Sequence, residues 1–494
     1  MTAKCIMVLG TTSGAGKSWL TTALCRYYAR QGLKVAPFKA QNMSNNARVV
    51  ASENGQGEIG SAQYFQALAA NAVPDVRMNP LLLKPERDTH SQVVLMGQVS
   101  AELSAMPWRG RSRKVWPQIA QALDDLRAEN DVVVIEGAGS PAEINLADSD
   151  VVNMRVAKHG DAACLLVTDI DRGGAFAHLY GTWALLPEDE RALIKGFVLN
   201  KFRGDATLLA PAPQMLQDLT GIPTVATLPM WWQHGLPEED GVFDDRSVSK
   251  GAVNMTVAVV AYPRISNLDE FQPLKNIPGL RLQWVRSPSE LAGLQPTDWI
   301  ILPGSKHTSG DLAWLRSQGL DAAIARHAEK GGAVLGVCGG LQMLGEALID
   351  PHGIDGNAPG LGLLPLVTVF AEDKTVRHTS VRFVSGMGGR WAALADSTVA
   401  GYEIHHGQTQ QHVAMAAAGD VAHAVLPAGL GWCNARGNVL GLYLHGMFED
   451  AAVLQALFGA QLGGTVPTLE TVFDGLADYI TAHFSDGVLQ DLLN

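Results

Sequence analysis

The start of the chain limits the possible folds more than any other stretch. Residues 4–10, KCIMVLG, form an apolar run of strand length, and a glycine-rich turn and a helical pattern at 18–30 follow it. A strand, a turn and a helix that opens with Lys17 and Ser18 are the arrangement of a phosphate-binding loop. The stretch therefore predicts an α/β protein with a nucleotide site at the end of its first strand.

Each part of this loop has a defined chemical role. Gly14 and Gly16 let backbone N–H groups converge on phosphate, and the following helix N-terminus adds a partial positive charge. Lys17 would contact the outer phosphates of ATP, and the Ser18 hydroxyl would reach Mg²⁺. The alternative is a glycine-rich turn that only packs a helix on a strand. We predict that Gly14, Gly16, Lys17 and Ser18 bind ATP.

The first glycine of the loop lies one residue earlier than in the usual motif. The pattern Gly-x-x-x-x-Gly-Lys-[Ser/Thr] would place it at position 11, where the chain has Thr11, and the glycine is Gly10. The longer spacing resembles the loop of dethiobiotin synthetase and its relatives. This resemblance implies that ATP phosphorylates a carboxylate or carbamate bound beside the loop.

A chain of 494 residues is too long for one core and predicts two or three domains. Apolar runs alternate with helical patterns in both halves, which predicts two doubly wound α/β domains. We place an N-terminal P-loop domain at 1–233, a linker at 234–251, a second domain at 252–450 and a C-terminal helical segment at 451–494. The predicted strands after the first are 131–137, 163–169, 196–202, 255–263, 280–285, 298–304, 332–340 and 438–446.

Charge and composition exclude several classes of protein. The formal net charge of -12 argues against nucleic acid or an anionic membrane as the main partner. The sequence has no basic tract, no signal-peptide pattern and no apolar run of about 18 residues, so we expect a cytoplasmic protein, in which an oligomer is possible. Five scattered cysteines without a C-x-x-C pair predict neither a disulfide framework nor a zinc site.

The segment VAPFKAQNMSNN at 35–46 places several polar side chains directly after an apolar strand. In a doubly wound sheet, ligands bind outside the carboxyl ends of the strands. We therefore predict that Lys39, Gln41 and Asn42 bind an anionic or amide-bearing substrate. A solvated loop is the alternative.

Two carboxylates in the first half are candidates for metal binding. Glu136 follows a buried strand, as a Walker B acid does, so we predict that it holds Mg²⁺ together with Ser18. Glu58 is a second candidate, and its alternative is an exposed residue at a helix start. Asp169 and Asp171 follow another strand and offer further oxygen ligands.

In the second half, Cys338 lies between a predicted strand and a predicted helix, flanked by Gly336, Gly339 and Gly340. This is the pattern of a nucleophile elbow, with cysteine in place of serine. The sharp turn exposes the thiol and leaves the Gly339 N–H free to stabilise an oxyanion. The alternative is a buried structural cysteine, which is our interpretation of the other four: Cys5, Cys25, Cys164 and Cys433.

A nucleophilic cysteine needs a general base, and His445 after the apolar run GLYL is the candidate. Cysteine followed by histidine roughly one hundred residues later resembles the class I glutamine amidotransferases, and Gly304 would then be a second N–H donor of the oxyanion hole. That class usually has a glutamate two residues after the histidine, where this chain has Met447. Glu403 is one candidate for the third group, and a cysteine–histidine dyad is the alternative.

Five longer motifs carry a resemblance to one family. FKAQNMSNN, EGAGSPAEINL, DIDRGG, NKFRGD and LPGSKHT, with the missing glutamate and the domain order, resemble the cobyrinate amidotransferases over nearly the whole chain. The resemblance implies that glutamine hydrolysed at Cys338 supplies ammonia to a corrinoid carboxylate, which Mg-ATP activates as an acyl phosphate. The most similar members amidate the b, d, e and g carboxylates of adenosylcobyrinic acid a,c-diamide in cobalamin biosynthesis, giving adenosylcobyric acid. Asn200 resembles the base-contacting asparagine of the dethiobiotin synthetase group.

Three other interpretations stay open. The sister enzyme of that family amidates the a- and c-carboxylates, but its loop has a Gly-Pro-Asp-Tyr-like segment where this chain has KAQNMSNN. A P-loop regulatory ATPase of the partitioning type would leave Cys338 and His445 without a purpose, and it usually has a second lysine, which residues 10–16 lack. A non-catalytic cobamide-binding protein would not need Lys17.

Overall fold

A computed structural model describes residues 2–52, 55–87, 90–232, 234–237, 253–459 and 468–494. The chain divides into two compact units. Unit 1 comprises Met1–Ser44, Val50–Leu236 and Thr468–Asn494, and unit 2 comprises Asn45–Val49 and Pro237–Pro467. Most of the predicted linker at 234–251 lies outside the described residues.

The secondary structure of unit 1 begins with the predicted strand, loop and helix. Strands β1 to β12 are Lys4–Gly10, Val35–Phe38, Gln41–Met43, Ala47–Ser52, Gly55–Gly60, Leu81–Arg87, His90–Leu95, Gln98–Val99, Val132–Glu136, Ala163–Asp169, Ile194–Phe202 and Thr224–Pro229, and β4 crosses the boundary between the units. Helices α1 to α8 are Lys17–Arg30, Ser61–Ala69, Ala101–Ala105, Trp108–Glu129, Met154–Gly160, Ala175–Leu185, Glu188–Arg191 and Ala212–Thr220.

Six parallel strands form the main sheet of unit 1, in the order β12-β11-β10-β1-β9-β2. The central strand β1 is covered on both faces: Met7 and Leu9 pack into one core, and Ile6 and Val8 pack into the other. A strand between two layers needs apolar side chains at every position, which explains why its sequence is a continuous apolar run. The phosphate loop follows at the carboxyl end of this strand.

The elements of unit 2 also alternate between strands and helices. Strands β13 to β25 are Met255–Val260, Ile265–Ser266, Leu280–Val285, Trp299–Leu302, Gly304–Ser305, Ala333–Val337, Ala347–Ile349, Ala358–Pro359, Leu366–Arg382, Thr398–Gln411, His423–Leu426, Gly431–Cys433 and Val439–Leu442. Helices α9 to α15 are Gln272–Lys275, Pro288–Leu291, Thr308–Ser317, Leu320–Glu329, Gly339–Leu344, Val413–Ala417 and Ala451–Phe458.

A seven-stranded sheet is the frame of unit 2, in the order β15-β13-β16-β18-β25-β24-β23. Its first five strands are parallel, and β24 and β23 continue it antiparallel. The long strands β21 and β22 pair antiparallel in a second, four-stranded sheet, whose order is β20-β19-β21-β22. The predicted fold class, two α/β domains with a P-loop domain first, is confirmed. Within the described part of the chain, no helix is both long and apolar enough to cross a membrane.

The C-terminal segment, which the sequence separated from both domains at 451–494, is divided between the units. Helix α15 packs into the core of unit 2 through Val453, Leu454 and Phe458. The last helices of the chain, α16 (Leu469–His483) and α17 (Val488–Asp491), belong to unit 1.

Helix α16 packs against α1, the helix of the phosphate loop. Phe473 is fully buried in the core that α1 shares with the main sheet. Beside it, Arg26 of α1 pairs with Glu470 at 2.5 Å and with Asp474 at 2.8 Å. Helix α16 therefore completes the hydrophobic core around α1, although the two helices are far apart in sequence.

Candidate functional site

The phosphate loop has the backbone conformation that its glycines permit. Gly14 and Gly16 adopt φ of 72° and 102°, a left-handed region that other residues rarely occupy, and α1 begins at the next residue. The Lys17 ammonium folds back over the loop, where it donates to the carbonyl of Thr12 at 3.0 Å and to that of Gly139 at 3.1 Å. The lysine is therefore held against the backbone of its own loop and that of the segment after β9.

The position of the first glycine has a steric cause. A Cβ on Gly10 would lie 2.9 Å from Lys17 Nζ and 3.0 Å from both Lys17 Cδ and the Thr12 carbonyl oxygen. Residue 10 is thus the point at which the lysine side chain crosses the backbone. At the next position, the Thr11 hydroxyl donates to the Thr168 hydroxyl at 2.9 Å, so a side chain there ties the loop to β10.

Glu136 is the centre of a buried polar cluster behind the loop. Its carboxylate accepts hydrogen bonds from Ser18 Oγ (2.8 Å), Lys39 Nζ (2.8 Å), Gln66 Nε2 (2.6 Å) and Gln63 Nε2 (3.4 Å). Burial alone would raise the pKa of Glu136, but the ammonium of Lys39 and these hydrogen bonds hold that pKa below its usual value. The carboxylate is therefore charged at neutral pH.

The oxygen atoms of this cluster suit a magnesium ion. Mg²⁺ prefers oxygen ligands and is usually held by one or two carboxylates together with substrate phosphates. Ser18 and Glu136 provide a hydroxyl and a charged carboxylate within 2.8 Å of each other. Glu58, the other predicted ligand, forms a buried ion pair with Lys84. Among the described residues, no group of three or more His, Cys, Asp and Glu side chains has the arrangement of a metal site.

The predicted substrate residues begin beside the same cluster. Lys39 contacts Glu136 directly, and Gln41 and Asn42 lie on the short strand β3, buried to 8% and 4% exposure. The Asn42 side-chain oxygen accepts from the N–H of Met43 at 3.1 Å. Gln41 Oε1 is buried without a hydrogen-bond partner within the described part of the chain. A buried unsatisfied carbonyl is costly, so this atom is available to a ligand that donates a hydrogen bond.

Asn200 lies where β11 ends and contacts the loop itself. Its Nδ2 donates to the Ala15 carbonyl at 2.8 Å, and its Oδ1 accepts from the N–H of Lys201 at 2.9 Å. The Lys201 ammonium donates to the Gly14 carbonyl at 2.8 Å and pairs with Asp169 at 3.2 Å. The predicted contact with the ATP base stays a prediction, and the structure adds a role in supporting the loop.

A cavity of about 580 Å³ opens beyond this strand end. Phe202, Arg203, Trp232 and His483 are among the residues that line it. A lining of apolar and aromatic side chains with a few polar groups is typical of sites that bind small molecules.

Cys338 has the strained backbone of a nucleophile elbow. It lies between β18 and α13 with φ 50° and ψ -105°, which is rare for a residue with a side chain. The turn is tight because its neighbours are glycines. A Cβ on Gly340 would lie 1.9 Å from the Leu302 carbonyl oxygen, and one on Gly336 would lie 2.6 Å from the Gly340 carbonyl.

The predicted oxyanion-hole residues come close to each other and to the histidine. A Cβ on Gly339 would lie 2.8 Å from the backbone nitrogen of Ser305, and one on Gly304 would lie 2.9 Å from His445 Cε1. Gly339 is the first residue of α13, so its N–H has no partner within the helix. Strand β17, which comprises Gly304 and Ser305, therefore lies between the elbow and the histidine.

His445 is buried to 1% exposure and is held by a carboxylate that the sequence analysis did not identify. Its Nδ1 lies 3.0 Å from Glu270 Oε1, and Glu270 Oε2 accepts from the N–H of Gly446 at 3.1 Å. Burial would lower the pKa of His445, but the charges of Glu270 and Cys338, and a hydrogen bond to Cys338, raise it to about 10. With its pKa raised in this way, the His445 side chain is an imidazolium at neutral pH.

Glu403, one candidate for the third group, contacts other residues in this structure. The Glu403 carboxylate accepts from Arg377 at 2.7 Å and from Thr379, and it lies 3.2 Å from His405. The group on His445 is Glu270, which is 175 residues away in sequence. No local motif marks Glu270, because only the packing of the 3₁₀ turn Leu268–Phe271 brings it to the histidine.

Two units of this kind define a class: a nucleotide-binding domain joined in one chain to a glutamine amidotransferase domain. The family model for the CobQ/CobB/MinD/ParA nucleotide binding domain matches residues 6–235. The model for the CobB/CobQ-like glutamine amidotransferase domain matches residues 256–453.

Full-length relatives narrow this class. The chain is 80% identical over 493 residues to the cobyric acid synthase of Albidiferax ferrireducens and 78% identical to that of Polaromonas naphthalenivorans, covering 100% of each protein and of itself. The chain belongs to the cobyric acid synthase family. A solved glutamine amidotransferase is similar over 42% of this chain and 99% of its own, at 18% identity and TM-score 0.32, which adds nothing to this assignment.

Proposed function

We propose that this chain amidates the b, d, e and g carboxylates of adenosylcobyrinic acid a,c-diamide to give adenosylcobyric acid. ATP- and glutamine-dependent amidation in cobalamin biosynthesis is the activity of its family. The carboxylate positions, the acyl phosphate and the residue roles are the proposal. The observation that carries it is the contact of Glu270 with His445 beside the strained Cys338 elbow, on the same chain as a complete phosphate loop.

In this proposal, glutamine is hydrolysed at Cys338. The thiolate attacks the carboxamide carbon of glutamine, and the N–H groups of Gly304 and Gly339 stabilise the oxyanion that forms. His445 donates its proton to the departing ammonia and then removes a proton from the water that hydrolyses the thioester. Glu270 orients the histidine and stabilises its charge, which is the role of the third triad member. The products are glutamate and ammonia.

The phosphate loop would activate the acceptor, because a carboxylate is a poor electrophile at neutral pH. Attack of a corrinoid carboxylate oxygen on the terminal phosphorus of ATP forms an acyl phosphate and releases ADP, and ammonia then displaces phosphate to leave the amide. Lys17 neutralises charge on the transferring group. Ser18 and Glu136 would hold Mg²⁺, which supplies further charge neutralisation when bound. Lys39, Gln41 and Asn42 would contact the corrinoid.

The base of ATP has a candidate position in the cavity lined by Phe202, Trp232 and His483. This cavity adjoins the end of β11, which carries Asn200. A base there would leave the phosphates to extend toward the loop that Asn200 supports.

Two substitutions test the division of chemistry between the sites. We expect Cys338→Ala to abolish glutamine-dependent amidation and to keep amidation with free ammonia, because only the nitrogen source is lost. We expect Lys17→Ala to abolish amidation with either source. Product formation from the a,c-diamide, followed by mass spectrometry, measures both and counts the amides added.

Each variant has an outcome that contradicts the proposal. If a folded Cys338→Ala protein lost activity with both glutamine and free ammonia, the proposal that hydrolysis and amidation occur at separate sites would be contradicted. Ammonia-dependent activity retained in Lys17→Ala would remove that residue from its assigned role. Preference for unamidated cobyrinic acid would favour the sister reaction.

A further inference from the structure

Arg48 is a buried cation of unit 2 that the chemistry above does not use. Its side chain is 2% exposed, and its guanidinium pairs with Asp269 and, at 2.6 Å, with Glu449. The guanidinium carbon also lies 5.0 Å from the centre of the Tyr402 ring. Desolvating an arginine is costly unless its partners are well placed, so these contacts fix both the cation and the groups around it.

All three contacts lead to the histidine site. Asp269 directly precedes Glu270 in the same 3₁₀ turn, and Glu449 ends the short turn that follows His445. The Tyr402 ring stacks on the His445 ring at 5.3 Å and 18°, and the two backbones exchange hydrogen bonds of 3.2 and 2.9 Å. The guanidinium therefore contacts three groups that adjoin His445: the turn that carries Glu270, the turn that ends at Glu449, and the Tyr402 ring.

The residues around Arg48 attach the segment 45–49 to the same turn. Asn46 Oδ1 accepts from the backbone N–H of Leu268 at 3.0 Å, and the Ala47 carbonyl accepts from Asn267 Nδ2 at 2.7 Å. These bonds fix the segment immediately before Asp269. The segment is separated in sequence from the rest of unit 2 by the intervening residues of unit 1.

We propose that Arg48 is a positioning residue for glutamine hydrolysis. It holds the turn that carries Glu270 and the turn that follows His445, so that the bond between these two side chains keeps its geometry. This inference rests on the proposed role of Cys338 and His445 in glutamine hydrolysis.

The physical reason is the balance of charge behind the histidine. Without the guanidinium, the buried Asp269 carboxylate would lose its cation beside the buried carboxylate of Glu270, and like charges repel in a poorly solvated site. The Glu449 carboxylate, whose side chain is 24% exposed, would lose the same partner. The turn would then move or take up a proton. A displacement of about 1 Å in a catalytic group lowers the rate about 10²-fold.

The test compares Arg48→Met, Arg48→Lys and Asp269→Asn with the natural chain. In Arg48→Met we expect kcat for glutamine-dependent amidation to fall about 10²-fold, with KM for glutamine within about threefold, since no glutamine contact is removed. Arg48→Lys should recover part of this loss, because an ammonium can neutralise one carboxylate but cannot span two as a guanidinium does. Ammonia-dependent amidation should stay within about twofold in all three variants.

The control is Arg382→Met, which removes an exposed arginine of the same unit that pairs with Asp396. It should change neither activity.

An unchanged glutamine-dependent kcat in Arg48→Met would overturn the proposal, as would an equal loss of both activities. If Arg48→Met does not fold, Asp269→Asn decides: a selective loss of glutamine use supports the proposal, and an unchanged kcat contradicts it. Failure of the Arg48 proposal can be distinguished from failure of the proposed role of Cys338. That role would be contradicted by a Cys338→Ala protein that still uses glutamine.

Discussion

At the scale of single residues, one carboxylate determines the chemistry available to the histidine. Glu270 is fully buried, and its two oxygens contact His445 Nδ1 and the N–H of Gly446. This bidentate arrangement fixes both the orientation of the imidazole and the tautomer it adopts when neutral. Since the pKa of His445 is raised to about 10, the imidazolium persists through neutral pH.

Replacing Glu270 by Gln should test this electrostatic role, because the amide keeps the shape and removes the charge. Without that charge the pKa of His445 falls toward its ordinary value, so the proton is lost at a lower pH as pH rises. We expect kcat for glutamine hydrolysis at pH 7 to drop about 10²-fold and the alkaline limb of the pH profile to move to lower pH.

Measurement of glutamate release between pH 6 and about 10 checks the direction of this shift. The matched control is Glu403→Gln, whose carboxylate pairs with Arg377. An alkaline limb that stays in place in Glu270→Gln would show that the charge of Glu270 does not set the protonation of His445.

At the scale of elements, the phosphate loop depends on the point where its lysine crosses the backbone. Gly10 ends β1, and the space beside its Cα is occupied by the Lys17 side chain. The displaced glycine is thus a packing requirement of this loop. Its neighbour Thr11 can carry a side chain because the hydroxyl bonds to Thr168 on the adjacent strand.

Gly10→Ala should therefore lower amidation with either nitrogen source. The added methyl group would displace the Lys17 ammonium from the Thr12 carbonyl, and we expect about a 10²-fold loss of kcat/KM for ATP. Gly181→Ala is the control, because a Cβ there meets no atom within 4 Å and the residue lies in helix α6. Equal ATP kinetics in both variants would contradict the steric explanation of the loop.

At the scale of the whole molecule, the order of the chain and the order of the units differ. Residues 468–494 return to unit 1, and residues 45–49 belong to unit 2. The predicted substrate residues Lys39, Gln41 and Asn42 lie directly upstream of that second segment. The chain therefore passes from one unit to the other at four points, between 44 and 45, 49 and 50, 236 and 237, and 467 and 468.

The contribution of the C-terminal helix to unit 1 can be measured. Phe473 of α16 is fully buried against the core that contains Leu20 and Leu24 of α1. We expect Phe473→Ala to lower the free energy of unfolding of unit 1 by about 3–5 kcal/mol, because it removes a large buried ring and leaves a cavity. The loss of ammonia-dependent activity with urea reports this change.

Leu208→Ala is the matched control, since Leu208 is 82% exposed in the same unit. It should shift stability by no more than about 0.5 kcal/mol. A similarly small shift in Phe473→Ala would mean that the C-terminal helix is not part of the stability of unit 1.

Local patterns were sufficient for much of the fold and for the residues with short-range signals. The continuous apolar runs predicted the parallel strands, and the glycine patterns around Lys17 and Cys338 predicted the loop and the elbow, because these features depend on neighbours in sequence. The family resemblance, which long motifs carried, is confirmed by the full-length relatives. The roles of the individual site residues stay predictions.

Tertiary structure decided what no local pattern could specify. The sequence left the partner of His445 open between Glu403 and none, and the fold places Glu270 there. It also places Gln63 and Gln66 on Glu136, and Arg48 beside the turn that carries Glu270. A sequence determines which residue can adopt a turn or fill a buried strand, because those constraints act over a few bonds. Which carboxylate meets which histidine depends on how strands and turns from remote segments pack, and that energy exists only in the folded chain.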